Sequence, residues 1–157
     1  MRPFRADGDA YTAKFSPEEA SILSELAEQI AELVRTGGPD DPAIARLFPD
    51  AYPDDAEASA EFRRFTAEDL GDRKVRNAGI ILGTLGAVAE GTRPKRVSLS
   101  ADEAQAWLRG LGDIRLSLAS RLGITEEGMP QDAPPGLAEL YDWLSFVQDS
   151  LVRAVDR

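Results

Sequence analysis

Histidine and cysteine are both absent from this chain of 157 residues. The side chains that most often act as base or nucleophile near neutral pH are therefore missing. The same absence excludes disulfides, thiolate and imidazole metal sites, and any thiol redox switch within the chain. No hydrophobic run reaches membrane-spanning length, and the longest, 78–89, is interrupted by Gly79, Gly83 and Gly86. The opening Met1-Arg2-Pro3-Phe4 lacks the apolar core of an export signal, so the expected location is the cytoplasm. Basic residues are outnumbered: 18 Lys and Arg stand against 28 Asp and Glu, for a net charge of -10. Phosphate backbones are gripped by basic surfaces, so tight direct binding to nucleic acid is not expected. A basic or mixed-charge protein is the easier partner.

What is present suits a folded domain. The hydrophobic fraction is 43% and the charged fraction 29%, ordinary globular values, and the length fits one domain spanning 1–157 with a real core. The chain reads as mainly α, with about five to six helices behind a small β element. Residues 1–15 alternate around Asp7-Gly8 as a β-hairpin, and 96–99 could add a third strand. Ser16-Pro17-Glu18-Glu19 is a capping box that opens a helix over 16–36, with Ile22, Leu23, Leu26, Ile30, Leu33 and Val34 on its apolar side and Gly37-Gly38 at its end. A short helix carrying Ile44, Leu47 and Phe48 follows Asp41-Pro42 inside a loop over 39–53.

Two helices are expected next, over 55–65 and 67–89, with Thr66-Ala67-Glu68-Asp69 resetting the chain between them. On the second, Gly79, Gly83 and Gly86 lie opposite the stripe of Leu70, Ala78, Ile81, Leu85 and Val88; that implies close helix packing in the core or a dimer seam. Ser100-Ala101-Asp102-Glu103 caps a helix over 101–122 that stops at Gly123. After an acidic loop over 125–136, the last helix spans 136–155. Trp143 and Phe146 fall outside its main stripe, so its apolar arc is too wide for a single neighbour and points to a homodimer interface, or to a helix wrapped by the others.

Few residues stand out as candidates for function. No nucleotide loop, dinucleotide fingerprint or calcium loop is present, no cofactor is implied, and no pair of carboxylates is singled out as catalytic. Arg115 projects from an apolar helix face and needs a carboxylate partner, either as a buried ion pair or at the floor of a cleft. Lys74 poses the same question on its own helix. From Glu61 to Arg96 eight basic residues, among them Arg63, Arg64, Arg73 and Arg76, stand against five acids; this positive stripe could be a solvated face with ion pairs or could steer a partner. Trp143 and Phe146 complete the candidate partner-binding set.

Glu61-Phe62-Arg63-Arg64-Phe65-Thr66 together with Ala106-Trp107-Leu108-Arg109-Gly110-Leu111-Gly112-Asp113-Ile114-Arg115-Leu116, closed by Ser120-Arg121-Leu122-Gly123-Ile124, resembles an actinobacterial family catalogued as a domain of unknown function and now named the oxidative stress transcriptional regulator (AosR) family. The Phe4 hairpin and the last helix fit the same resemblance. It implies a cytoplasmic protein that modulates transcription through contact with a stress sigma factor or RNA polymerase, and a sensing cysteine pair. This chain has no cysteine to match that pair. These residues and the resemblance together imply a non-enzymatic, stress-linked interaction protein in transcription regulation; the alternative is a small-ligand binder or enzyme using Arg115 with a neighbouring carboxylate.

Overall fold

The computed structural model describes residues 1–37, 41–48, 56–125 and 127–156, with 56–68 described by backbone alone. The described residues hold a three-stranded antiparallel sheet and five helices. Strands β1 (Arg2–Asp7) and β2 (Ala10–Phe15) form the expected hairpin, turning at Gly8, whose φ of 62° is glycine's place at the first central position of a two-residue turn. The third strand is β3 (Lys95–Leu99), which pairs with β2 from Tyr11↔Leu99 to Phe15↔Lys95. The sheet order is β1-β2-β3.

Helix α1 (Pro17–Thr36) begins at the Ser16 capping box and ends at Gly37. Its buried line is Ala20, Leu23, Ala27, Ile30 and Ala31, whereas Ile22, expected inside, is 43% exposed. The small alanines let α1 lie close along α3, its main neighbour. Helix α2 (Pro42–Leu47) is capped by the Asp41 carboxylate and packs on α4; Arg46 donates to the carbonyl of Ile124 at 2.8 Å. Gly38 and the loop positions 38–40, 49–55 and 126 lie outside the described residues.

Residues 55–65 and 67–89 do not form two helices. One helix, α3 (Ala56–Ala89), runs straight through Thr66. From Asp54 to Leu70 the sequence has neither glycine nor proline, so nothing in the backbone forces a turn, and Thr-Ala-Glu-Asp is as acceptable inside a helix as at its start. Helix α4 (Ala101–Leu122) carries the Ser100 capping box and ends at Gly123 in the left-handed region at φ 72°. Helix α5 (Pro135–Val155) closes the chain.

The core is continuous from sheet to helices. Phe4, Phe15 and Trp107 form an aromatic trio with ring centroids 5.5 to 6.0 Å apart, within the range where such pairs attract beyond their buried area. Trp107 is fully buried and donates its indole N–H to Thr84 Oγ1 at 3.3 Å, tying α4 to α3 beneath the sheet. Truncating one of these rings costs about 3–5 kcal/mol. Around them pack Leu23, Ile81, Leu85, Leu99, Leu111, Leu144, Val147 and Leu151, all inaccessible to solvent.

Candidate interaction surface

Each candidate residue takes its position from the helix that carries it. Lys74 of α3 faces α4, and its Nζ lies 2.7 Å from Asp113 Oδ1, with both side chains almost wholly covered. The Lys74 ammonium also stands 6.0 Å from the centre of the Phe48 ring. Burial pushes the Asp113 carboxyl above its ordinary value of 3.8, and Lys74 pulls only part of that back. The second carboxylate oxygen, Oδ2, is buried without a hydrogen-bond partner among the described residues. Asp113 was not singled out by the sequence. Its signal is an acid flanked on the α4 surface by the buried small residues Ala106, Gly110 and Ser117, which mark where a second helix comes close.

Arg115 does not meet the acid expected of it. Its Nη1 donates to Gln148 Oε1 at 2.6 Å, its Nη2 reaches the Tyr141 hydroxyl at 3.5 Å, and its guanidinium lies 5.2 Å from the Tyr141 ring centre. Gln148 in turn donates to the carbonyl of Leu108 at 3.0 Å. A neutral amide and an aromatic face replace the carboxylate because α5, the neighbour on this side, presents Tyr141 and Gln148 one above the other, seven residues apart. The arrangement clamps α4 to α5, and no described carboxylate lies within salt-bridge distance of the guanidinium.

Arg73 and Arg76 are exposed on α3, and Arg73 pairs with Asp69 one turn earlier. Arg63 and Arg64 lie on the same helix, but their side chains fall outside the described residues. Gly79, Gly83 and Gly86 of α3 do not serve the close packing in the core expected of them. A Cβ added at Gly79, Gly83 or Gly86 meets nothing within 4 Å, so they open outward rather than admit a neighbouring backbone. Gly83 and Ala87 line a surface groove that runs to Lys95 and Ser98 of β3. The close approach between α3 and α4 is made elsewhere, at Gly110, where an added Cβ would stand 2.7 Å from Ile81 Cδ1.

On α5 the two aromatics separate. Trp143 packs half-buried against the core, while Phe146 is 47% exposed. Val152 and Leu137 on the same helix and Leu116 on α4 are also exposed. Among the described residues no group of carboxylates could hold a metal ion, and no helix is long and apolar enough to cross a membrane.

The sequence is similar to known proteins along most of its length. The oxidative stress regulator AosR of Mycobacterium tuberculosis (strain ATCC 25618 / H37Rv) is 27% identical over 184 residues, covering 93% of this chain and 82% of the relative. The same protein of Mycobacterium bovis gives the same figures. The putative oxidative stress regulator AosR of Mycobacterium leprae (strain TN) is 30% identical over 159 residues, covering 88% of this chain and 70% of the relative. No solved structure matches the chain. Residues 1–155 match the family described as Domain of unknown function (DUF2017), and with that match spanning sheet and helices alike, the chain belongs to this family.

Proposed function

We propose that this protein is a non-enzymatic regulator of transcription that works by protein contact, with a sigma factor or RNA polymerase as the partner and the cytoplasm as its location. The observation that carries this reading is the likeness to proteins named oxidative stress regulators along 88–93% of the chain. The surface agrees with it. Phe146 is a large aromatic side chain turned half outward beside the partly covered Trp143, and aromatic anchors of this kind dominate the energetics of protein interfaces. The net charge of -10 favours contact with polymerase machinery over contact with DNA. A homodimer through α5 belongs to the same proposal, since Phe146 could be covered by a second copy.

The test is binding and transcription with purified components. Immobilised protein is expected to retain RNA polymerase or a sigma factor from its own source and to change the yield of a run-off transcript. Phe146→Asp is expected to weaken that retention about tenfold or more while leaving the helical spectrum unchanged. Absence of any effect on transcription, together with no retention of polymerase subunits, would overturn the reading. Light scattering of the wild type and of Phe146→Asp separates a homodimer interface from a heterologous one.

A further inference from the structure

The sheet turns one face toward the Phe4, Phe15 and Trp107 core and the other outward. On the outward face Arg2 of β1 stands opposite Lys14 of β2, and Lys14 stands opposite Arg96 of β3. Residues directly opposite across antiparallel strands share a face, so a row of three cations crosses the whole sheet. Adjacent strands lie about 4.7–4.9 Å apart, and the row therefore spans about 10 Å. Arg5 adds a fourth cation in the next row, opposite Thr12, which is itself opposite Ser98.

A bulge brings Arg2 and Arg5 to the same side. Residues three apart on a regular strand point to opposite faces. Here the register passes from Arg2↔Lys14 to Arg5↔Thr12, so three steps on β1 match two on β2 and the extra residue restores the face. Pro3, which has no N–H to give to a ladder, sits within that irregularity. Like charges directly opposite on a sheet destabilise it. Among the described residues none of these four cations forms a salt bridge. Together with Pro3, Phe4, Thr12, Ala13 and Pro94 they line a cleft of about 430 Å³ that no acid lines, within the size range of small-molecule sites.

We propose that this outer face of the sheet is a binding site for a small ligand carrying two or more phosphate groups, held by Arg2, Lys14 and Arg96 with Arg5 beside them, over the covered Thr12. Guanidinium forks match phosphate oxygens bidentately, and Lys14 adds a point charge at the centre of the row. The charge distribution selects a compact polyanion. The four cations lie within one cleft on a chain of net charge -10, so a long nucleic acid or acidic protein reaching well beyond the cleft is opposed by the overall negative charge of the molecule. The bound anion relieves the repulsion that the bulge builds into the row. The site is separate from the α5 surface, and its test needs no transcription readout.

Titration calorimetry of the intact protein at about 0.1 M salt, with tripolyphosphate and with ATP as probes, tests the proposal. Saturable binding is expected, with affinity falling as salt rises. Equal affinity for the two probes identifies the phosphate chain alone as the ligand, and tighter binding of ATP shows that an organic part contributes. Lys14→Gln and Arg96→Gln should each weaken binding about tenfold, while Arg109→Gln, at an exposed site on α4, should not. Without ligand, the Lys14→Gln, Arg96→Gln double variant is expected to melt at or above the wild-type temperature, because neutralising the row removes repulsion. Probe should raise the melting temperature of the wild type and not of the double variant. No binding of either probe, binding that the double variant retains in full, or tighter binding of duplex DNA or of a polyglutamate peptide through the same residues would each overturn it.

Discussion

Phe4 and Ser150 are 146 residues apart in sequence, and the backbone N–H of Phe4 donates to Ser150 Oγ at 3.2 Å. The Ser150 hydroxyl in turn donates to the carbonyl of Val147 at 2.8 Å. Phe4 lies on an edge strand, at the bulge where the ladder with β2 is interrupted, so its N–H has no strand partner and the last helix supplies one. The same residue sends its ring into the aromatic trio. The hairpin is thereby fastened to the helices twice through one residue, by a polar contact and by a packed ring.

Ser150→Ala leaves the Phe4 N–H buried without an acceptor, and is expected to cost about 1–3 kcal/mol. Hydrogen exchange at the Phe4 amide should accelerate more than exchange in the centre of α4. An unchanged denaturation midpoint, with unchanged exchange at Phe4, would show that the contact fastens nothing.

The Lys74–Asp113 pair sets a pH dependence whose sign follows from the raised carboxyl. Where the folded pKa exceeds the ordinary 3.8, the native state still holds a proton that the unfolded chain has released. Stability contributed by this group is therefore greatest at low pH and declines as pH rises through the interval between the two values. Lys74→Met removes the cation that lowers the carboxyl pKa, so the interval widens. At pH 7 this variant is expected to lose about 3–5 kcal/mol, because a buried carboxylate is left alone, and to recover part of it on acidification toward about pH 5. The Lys74→Met, Asp113→Leu double variant should regain most of the loss. Urea denaturation at both pH values checks all three outcomes.

Arg115→Ala is expected to cost about 1–3 kcal/mol, less than the loss of a buried ion pair, since it strands an amide oxygen rather than a carboxylate. Gln148→Ala should cost a similar amount, and a double-mutant cycle should return a coupling of about 0.5–3 kcal/mol. Coupling near zero would mean that α4 and α5 are held by their apolar contacts alone.

The helical glycines should respond in opposite directions. Gly79→Ala and Gly83→Ala place a methyl in open space and are expected to stabilise by about 0.5–1 kcal/mol each, through helix propensity. Gly110→Ala drives a methyl against the fully buried Ile81 and is expected to destabilise by about 1–3 kcal/mol. Thermal melts of the three variants suffice.

Peroxide provides a chemical check. The sulfur atoms of this chain are those of Met1 and Met129, so mild oxidation is expected to leave the helical spectrum and the affinity for a protein partner nearly unchanged. A large peroxide-induced shift in either would point to methionine oxidation as a switch.

Several elements were legible because their causes are local. The capping boxes at Ser16 and Ser100, the turn at Gly8 and the left-handed stop at Gly123 are each specified by a few neighbouring residues whose backbone preferences need no tertiary partner, whereas Gly37 ends α1 in extended backbone, crowded by Ile44 of α2. The apolar spacing along α4 and α5 likewise follows from helical period alone. The break expected at Thr66 failed for the complementary reason: a capping sequence permits a helix start but does not compel one, and no residue nearby prevented α3 from continuing. Lys74 and Arg115 could be recognised as charges on apolar faces, since helical geometry shows which way they point.

Which group answers each charge was decided only by the packing. Asp113 reaches Lys74 because α4 crosses α3 at its small-residue flank, and Gln148 reaches Arg115 because α5 lies against α4 at that height. The alignment of the cation row had no linear signal, although Arg96 closes the basic stretch and 96–99 reads as a third strand. Arg2, Lys14 and Arg96 belong to three strands, one of them some eighty residues distant from the hairpin, and their alignment depends on strand register and on a one-residue bulge. The sequence by itself determined the chemical absences and, apart from the unbroken α3, the elements with their caps and turns, because those depend on residue identity and on contacts between near neighbours. Tertiary structure decided the pairings, the exposure of Phe146 and the cationic face of the sheet, because those depend on distances between residues that the chain order keeps apart.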